Sequence, residues 1–448
     1  MILIILIILL LSLLLWYLFT DIIKFTVEIF YPPSKIKRLS HLLNIIQTIP
    51  IYKNKIPSNI TRWNFENFKK ITPITKTEIV NNLSKTYKPN TLTTVEIYNY
   101  LNSPYTHFYF KNNNKYLIST TSGTSGEMGV FINDWKSWVQ SQATLFSDIF
   151  YNNIHLLVPS TNIKMVFILV DNGHFMSRKM AKPVINIFMN IFIEITILSI
   201  FDMNKAEKIN NIKPDILHTY PSVLDEIIDD LDSGIKIITT GSESISDNLK
   251  EKIKKKTSKL IETYGSTECV FMASSCKYGT LHVSNKCIIE LVKDGKVIND
   301  INIPSDYTLM TNLINTFQPL VRYRIDDSLE YVECMCNSKK KAVIVHGRSD
   351  DIFYLIDTEG TMQKHSPISI ESIFVSIPGK FVFQVIHYRQ NCIQIYIMTD
   401  DNNILELVDR NFNDYLIKFK LNISYNITKK DIYRNNKHGK MKQIISYV

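Results

Sequence analysis

Cysteine is scarce in this chain, with six residues among 448. That number is too small for a disulfide framework across a protein this long, and Cys334 and Cys336, one residue apart, suit a metal or reduced thiols better. Charged residues are also modest at 21%, against 45% hydrophobic, which describes an ordinary folded protein and excludes a disordered one. There is no zinc-finger or RNA-recognition signature, so nucleic acid is not an expected partner. There is no internal repeat and no low-complexity linker. The net charge of +9 comes mostly from scattered lysines in a Lys-, Asn- and Ile-rich composition, with short runs at 252–256 and 339–341. Such a balance also attracts polyanions. The length exceeds one compact core, so at least two globular units are expected.

Charge is wholly missing from Ile2 to Thr20, where Ile and Leu dominate and Trp16, Tyr17 and Phe19 close the run. A helix of about 20 apolar residues crosses a hydrocarbon core of about 30 Å. Aromatics at one end suit the headgroup layer. A cleaved signal peptide would have a basic stretch before the run and small residues after it, and neither is present. A buried core helix is the bland alternative. The expectation is a single-pass membrane anchor over residues 1–20. Lys24, Lys35, Lys37 and Arg38 follow it against Asp21 and Glu28, which favours a cytosolic C-terminal domain.

Residues 21 to 95 read as helical and connecting, broken by Pro32-Pro33. From Tyr116 onward short apolar runs alternate with helix-like segments, at Met165–Val170, Ile235–Thr240 and Lys259–Tyr264 among others. This predicts an α/β domain with mostly parallel sheets. Cys287–Val292, Asp294-Gly295 and Val297-Ile298 read as a hairpin. Beyond Arg348, strands at Phe381–Tyr388 and Ile393–Thr399 and a helix at Ile404–Lys418 predict a small α+β domain. The predicted units are 1–20, 21–348 and 349–448.

A Ser/Thr/Gly stretch, Thr120-Thr121-Ser122-Gly123-Thr124-Ser125-Gly126, follows a strand-like run. Its glycines let the backbone wrap a phosphate and its hydroxyls donate to the oxygens. Without a Gly-Lys-Ser/Thr ending it is not a Walker loop. Further motifs follow in order: Tyr220-Pro221-Ser222, Thr239-Thr240-Gly241-Ser242-Glu243, Tyr264-Gly265-Ser266-Thr267-Glu268, Arg322-Tyr323-Arg324-Ile325-Asp326-Asp327, Gly347-Arg348-Ser349-Asp350-Asp351 and His438-Gly439-Lys440. Together, from Tyr116 to the C-terminus, the set resembles the acyl-adenylate-forming ligase superfamily. Gln318-Pro319-Leu320 and the Cys/His pattern resemble its phenylacetate–CoA ligase-like branch, which includes the coenzyme-F synthetases.

The resemblance implies a large adenylate-forming domain, a small mobile C-terminal lid hinged at Asp350, and a two-step reaction. A carboxylic acid would be activated by ATP to an acyl-adenylate with loss of pyrophosphate, then passed to CoA. It implies that Tyr264 stacks on adenine, Thr267 contacts phosphate, Glu268 holds Mg²⁺, Asp327 binds the ribose hydroxyls, Arg348 assists at the ribose, and Lys440 bridges carboxylate and α-phosphate. Cys276, His282, Cys334 and Cys336 would hold a structural Zn²⁺, with Cys269 a spare, since thiolate and imidazole are zinc's usual structural ligands. Asn172-Gly173-His174-Phe175 resembles an acyl-pocket stretch, and core packing explains its His-Phe pair equally well. The chain departs from the pattern at Glu127-Met128, where relatives place Lys-Pro, and at Asp326, where they often place Gly. A glutamate there repels pyrophosphate unless it points away, and paired carboxylates raise one another's pKa. A non-CoA acceptor (an amine or a carrier protein) and a catalytically silent, membrane-tethered nucleotide-binding protein are the competing readings.

Overall fold

The computed structural model describes residues 24–447 apart from 61–62, 105, 122–128, 151–152, 158–161, 171–173, 182–192, 201, 244, 337, 349–352, 366–369, 371–372, 375–376, 378–380 and 433–442. The anchor expected at residues 2–20 therefore lies outside the described residues. Among the described residues no helix is long and apolar enough to cross a membrane.

A nine-stranded sheet organises the large α/β region. Its strands run in the order Asp327–Val332, Ala342–Arg348, Leu281–Val283, Ala273–Ser275, Thr257–Tyr264, Ile235–Gly241, Ile216–Thr219, Ile163–Leu169, Ile193–Ser199. The strands from 163 to 264 pair in parallel. Helices Lys205–Ile212, Pro221–Ile227 and Asp247–Lys254 supply the crossovers that parallel pairing needs. Both sheet faces are covered, which is why these strands read as continuous apolar runs. Val166, Ile168, Leu217 and Ile238 pack on one side with Leu224 and Ile253. Met165, Ile216, Ile237 and Ile261 pack on the other with Ile149 and Leu157.

The expectation of mostly parallel sheets is corrected beyond Tyr264. From there to Arg348 no helix separates consecutive strands among the described residues, and the remaining strands of the sheet pair antiparallel. A four-stranded antiparallel sheet (Lys296–Ile298, Cys287–Lys293, Tyr307–Asn312, Tyr323–Ile325) and a three-stranded one (Tyr109–Lys111, Asn114–Thr120, Val130–Asp134) complete the large region. The predicted hairpin is present: Cys287–Lys293 pairs with Lys296–Ile298 across Asp294 (φ +49°) and Gly295 (φ +71°). Two consecutive left-handed residues match the right-handed strand twist.

Residues from Phe353 onward build their own core. Phe353, Leu355, Val385, Ile395, Val408 and Phe412 bury one another without help from earlier segments. The helix Asn403–Lys418 lies with a four-stranded sheet of Val382–Arg389, Cys392–Met398, Ser424–Lys429 and Ile444–Ser446.

The chain enters the described region through a helix over 24–30. Phe25, with Ile29 beside it, packs on Val139 and Ala143 of the helix Trp135–Leu145. Glu28 between them is 3% exposed. Its carboxylate is bonded by the Arg38 guanidinium, lies 3.1 Å from the Lys286 ammonium, and accepts from Gln140 at 3.4 Å. Lys286 also donates to Thr144 at 3.1 Å. One buried carboxylate thus joins four separate segments.

Candidate active site at the strand ends

In open parallel sheets, ligands bind beyond the carboxyl ends of the strands. Two of the sequence motifs end there. Gly241 and Thr263 face each other in register, and a Cβ at 241 would stand 2.4 Å from the Thr263 hydroxyl. Only glycine lets the strands close at this point. Ser242 follows at φ +70°, a left-handed conformation that favours glycine. Glu243 turns back, and its Oε2 accepts from the Ser222 amide at 3.0 Å. Its Oε1 is buried with no partner among the described residues.

The next motif is zipped to the Tyr-Arg-Ile-Asp-Asp stretch by two hydroxyls. The Tyr264 hydroxyl donates to Asp327 Oδ2 at 2.5 Å. The Tyr323 hydroxyl donates to Glu268 Oε1 at 3.1 Å. The partners are four residues apart on each segment and run in opposite directions. Burial, reinforced by the Asp327 carboxylate, pushes the Tyr264 phenol well above its ordinary pKa, so it stays a donor. The Asn312 amide holds the Glu268 carbonyl at 3.1 Å. Arg348 stands opposite Asp327 in the antiparallel pairing of Asp327–Val332 with Ala342–Arg348. Gly241, Tyr264, Glu268, Asp327 and the backbone of Arg348 are therefore linked by one continuous set of contacts. Thr267 is half-buried next to Glu268, as are Gly265 and Ser266.

Gly265 is a second position where only glycine fits, for a Cβ would sit 2.2 Å from the Val270 carbonyl oxygen. Gly265→Ala is expected to cost about 1–3 kcal/mol, the usual penalty for forcing atoms into packed space. Urea unfolding checks this. The displaced Glu268 should lower activity more than the stability loss alone accounts for.

The expected phosphate loop is described only at its neck. The Thr121 amide donates to the Gly129 carbonyl at 3.0 Å, and the Gly129 amide returns a bond to the Thr121 hydroxyl at 2.9 Å. Ser122, Gly123, Thr124, Ser125, Gly126 and Glu127 lie outside the described residues. Phe131, just after the neck, meets the Tyr323 ring edge-on with centroids 6.2 Å apart. This places the loop's base beside the residue that holds Glu268. Lys440 and the hinge position Asp350 also lie outside the described residues.

Asp326 does not crowd Asp327. The Asp326 carboxylate is held on the surface by Arg324 at 2.9 Å, while Asp327 faces Tyr264. Arg322, the first residue of the same stretch, is buried against Glu290 at 3.0 Å and serves the fold. His174 is buried against the Tyr100 ring, with centroids 4.7 Å apart. Burial, aided by Lys179 and Arg178, lowers its pKa to about 4, so the ring is neutral at physiological pH. Tyr323 and Asn312 were not singled out as site residues. The sequence carries only a weak sign of Tyr323, its position four residues before Asp327.

The cluster of Cys276, His282, Cys334 and Cys336 forms as predicted, with all four ligand atoms within 4.8 Å of one another. The Cys276 and Cys334 sulfurs are 3.6 Å apart, and Cys336 Sγ lies 3.1 Å from His282 Nε2. A tetrahedron with Zn–S of about 2.3 Å has edges of about 3.8 Å, so the set fits zinc. His282 Nδ1 faces the Lys340 carbonyl at 3.2 Å, which orients Nε2 toward the thiols. The Tyr278 amide donates to Cys276 Sγ at 3.4 Å.

No family model and no curated protein matches the sequence. The fold, however, is shared with solved enzymes. 2-Hydroxyisobutyryl-CoA ligase in its postadenylation state aligns over 92% of this chain and 88% of its own, at 13% identity and a TM-score of 0.66. This chain has the fold of the acyl-adenylate-forming ligases. The same ligase in its thioesterification state, with 2-HIB-AMP and CoA, gives a TM-score of 0.51 at 13% identity. ATP-bound MatB from Rhodopseudomonas palustris covers 72% of this chain and 65% of its own, at 16% identity and a TM-score of 0.54. These ligase-fold neighbours carry acyl-AMP, CoA or ATP, each in its own structure.

Proposed function

We propose that the protein activates a small carboxylic acid with ATP, releasing pyrophosphate, and transfers the acyl group to CoA. The observation that carries this reading is the double zip of Tyr264 to Asp327 and Tyr323 to Glu268 at the strand ends. It gathers an aromatic ring and two carboxylates, the groups that an adenine, a ribose and a metal ion would each require. A carboxylate is a poor acyl donor, and joining it to AMP gives it a leaving group. Two anions must meet, so positive charge and oriented donors are required. Asp327 would hold the ribose hydroxyls, and Thr267 and the hydroxyls of 121–125 would hold phosphate. Glu268 would carry Mg²⁺, which supplies charge neutralisation at the phosphates. The buried Glu243 Oε1 offers a fixed acceptor beside Gly241 and Ser242. Lys440 would bring its ammonium to the carboxylate and α-phosphate. The structural neighbours that hold acyl-AMP support this reading.

The decisive experiment is acid-dependent ATP–pyrophosphate exchange across a panel of aryl and fatty acids, followed by thioester formation with CoA. Lys440→Ala is expected to lose exchange by about two to three orders of magnitude while still binding ATP. Normal exchange in that variant rejects the role given to Lys440. Exchange without thioester would point to another acceptor.

We also propose that Cys276, His282, Cys334 and Cys336 hold a structural zinc that staples the loop after Val332 to the hairpin at 275–281. Zinc content by a colorimetric chelator is expected to fall to background in Cys334→Ser. Adenylation should survive at moderate temperature, because the cluster takes no part in the zipped site. The run at Ile2–Thr20 is proposed to anchor the chain in a membrane with the catalytic part on the cytosolic side. Protease protection in sealed vesicles tests that orientation.

A further inference from the structure

The helix over 24–30 has two apolar faces. Phe25, Glu28 and Ile29 occupy one, spaced so that they stack along a single side, and they dock on the protein. Val27, Phe30 and Tyr31 occupy the opposite side at the same spacing and are 45%, 51% and 80% exposed. After Pro32-Pro33, Ile36 at the start of the helix Lys35–Ile46 is 80% exposed, and Lys37 beside it is exposed too. A surface helix normally turns its polar side to water. This one turns aromatics.

We infer that this face, Val27, Phe30, Tyr31 and Ile36, lies in the headgroup layer of a lipid bilayer and fixes the catalytic domain against it. The inference rests on the membrane reading of Ile2–Thr20. That run carries no charge and ends four residues before the first described residue of the helix, Lys24. Its length matches a hydrocarbon core of about 30 Å. If the run instead folded back on the patch, four side chains could cover only a small part of it. Aromatics with neighbouring lysines are the composition that interfaces select, and Lys24 and Lys37 flank the stripe.

The segment is also no loose tether. Glu28 is fastened to Arg38 and Lys286, and Phe25 to the helix Trp135–Leu145. That helix directly follows the strand Val130–Asp134 that leaves the phosphate loop. A contact between the stripe and lipid therefore sets the height and tilt of the loop above the bilayer.

The test uses the full chain in nanodiscs of phosphatidylcholine and phosphatidylserine. A photoreactive benzoylphenylalanine replaces Phe30, Tyr31 or Ile36 in turn, with Trp16 as the anchor reporter. Phe110 and Tyr278, exposed elsewhere, serve as controls. Lipid adducts are expected at Trp16, Phe30, Tyr31 and Ile36 and absent at Phe110 and Tyr278. Adducts at Trp16 alone leave the anchor standing and overturn the interfacial contact. Adducts from Phe30 or Tyr31 to residues 1–23, or to a second copy of the chain, overturn it in favour of those occupants. Absence of lipid adducts at every position, Trp16 included, overturns the membrane reading with it.

Discussion

Glu268→Gln is expected to lower acid-dependent ATP–pyrophosphate exchange by about two to three orders of magnitude, the usual loss when one fixed electrostatic contact to a transition state is removed. Glutamine has the same length, and its carbonyl still accepts from the Tyr323 hydroxyl that holds Glu268 Oε1 now. The Asn312 bond to the main-chain carbonyl is untouched. The substitution therefore removes charge and little else. If Glu268 carries Mg²⁺, the loss should be partly recovered by raising the metal concentration, because a weakened site still fills by mass action. A purely structural Glu268 would show no such recovery.

Tyr323→Phe separates charge from aim. It keeps the carboxylate and releases its orientation. A hydrogen bond to a charged group contributes about 1.5–3 kcal/mol, so a loss of about ten- to a hundredfold is expected. The variant should respond to Mg²⁺ less than Glu268→Gln does. Near-normal exchange in Glu268→Gln at low Mg²⁺ would remove this residue from the reaction.

The ordered motifs contain residues that the fold brings into contact. Gly241, Tyr264, Asp327 and Arg348 each terminate or begin a strand of one sheet, and Glu268 lies in the connection just after Tyr264. The Asp294-Gly295 hairpin was legible because two left-handed residues in succession have few alternatives. The Cys/His cluster was legible because zinc ligands are chemically distinctive. Other features were not. Periodicity showed buried strands but not their direction, so the switch to antiparallel pairing after Tyr264 went unread. Direction depends on whether a helix or a short turn intervenes, and the loops there are too brief to signal either. Asp326 and Asp327 take different partners because adjacent residues on an extended chain point to opposite sides. Arg324 takes one carboxylate and Tyr264 the other. Glu28 counted in the sequence only as an acid among bases; its burial arises from segments more than 100 residues away.

That carboxylate carries the second large effect. Glu28→Ala is expected to destabilise the large domain by about 3–5 kcal/mol, the range for breaking a buried ion pair from one side. The side chains of Arg38 and Lys286 are only 5% and 8% exposed. Without Glu28 both cations lose their shared anion while remaining out of water. Thr144 and Gln140 are neutral and cannot replace it. Urea unfolding followed by tryptophan fluorescence gives the number, since Trp135 and Trp138 lie on the helix that Phe25 packs against. The triple variant Glu28→Leu, Arg38→Met, Lys286→Met should recover much of the loss. Removing every charge also removes the desolvation cost that the pair offsets. If Glu28→Ala alone were neutral, water would reach the cations, and the helix over 24–30 would be loosely attached. A rigid link between the apolar run and the phosphate loop would then have no physical basis.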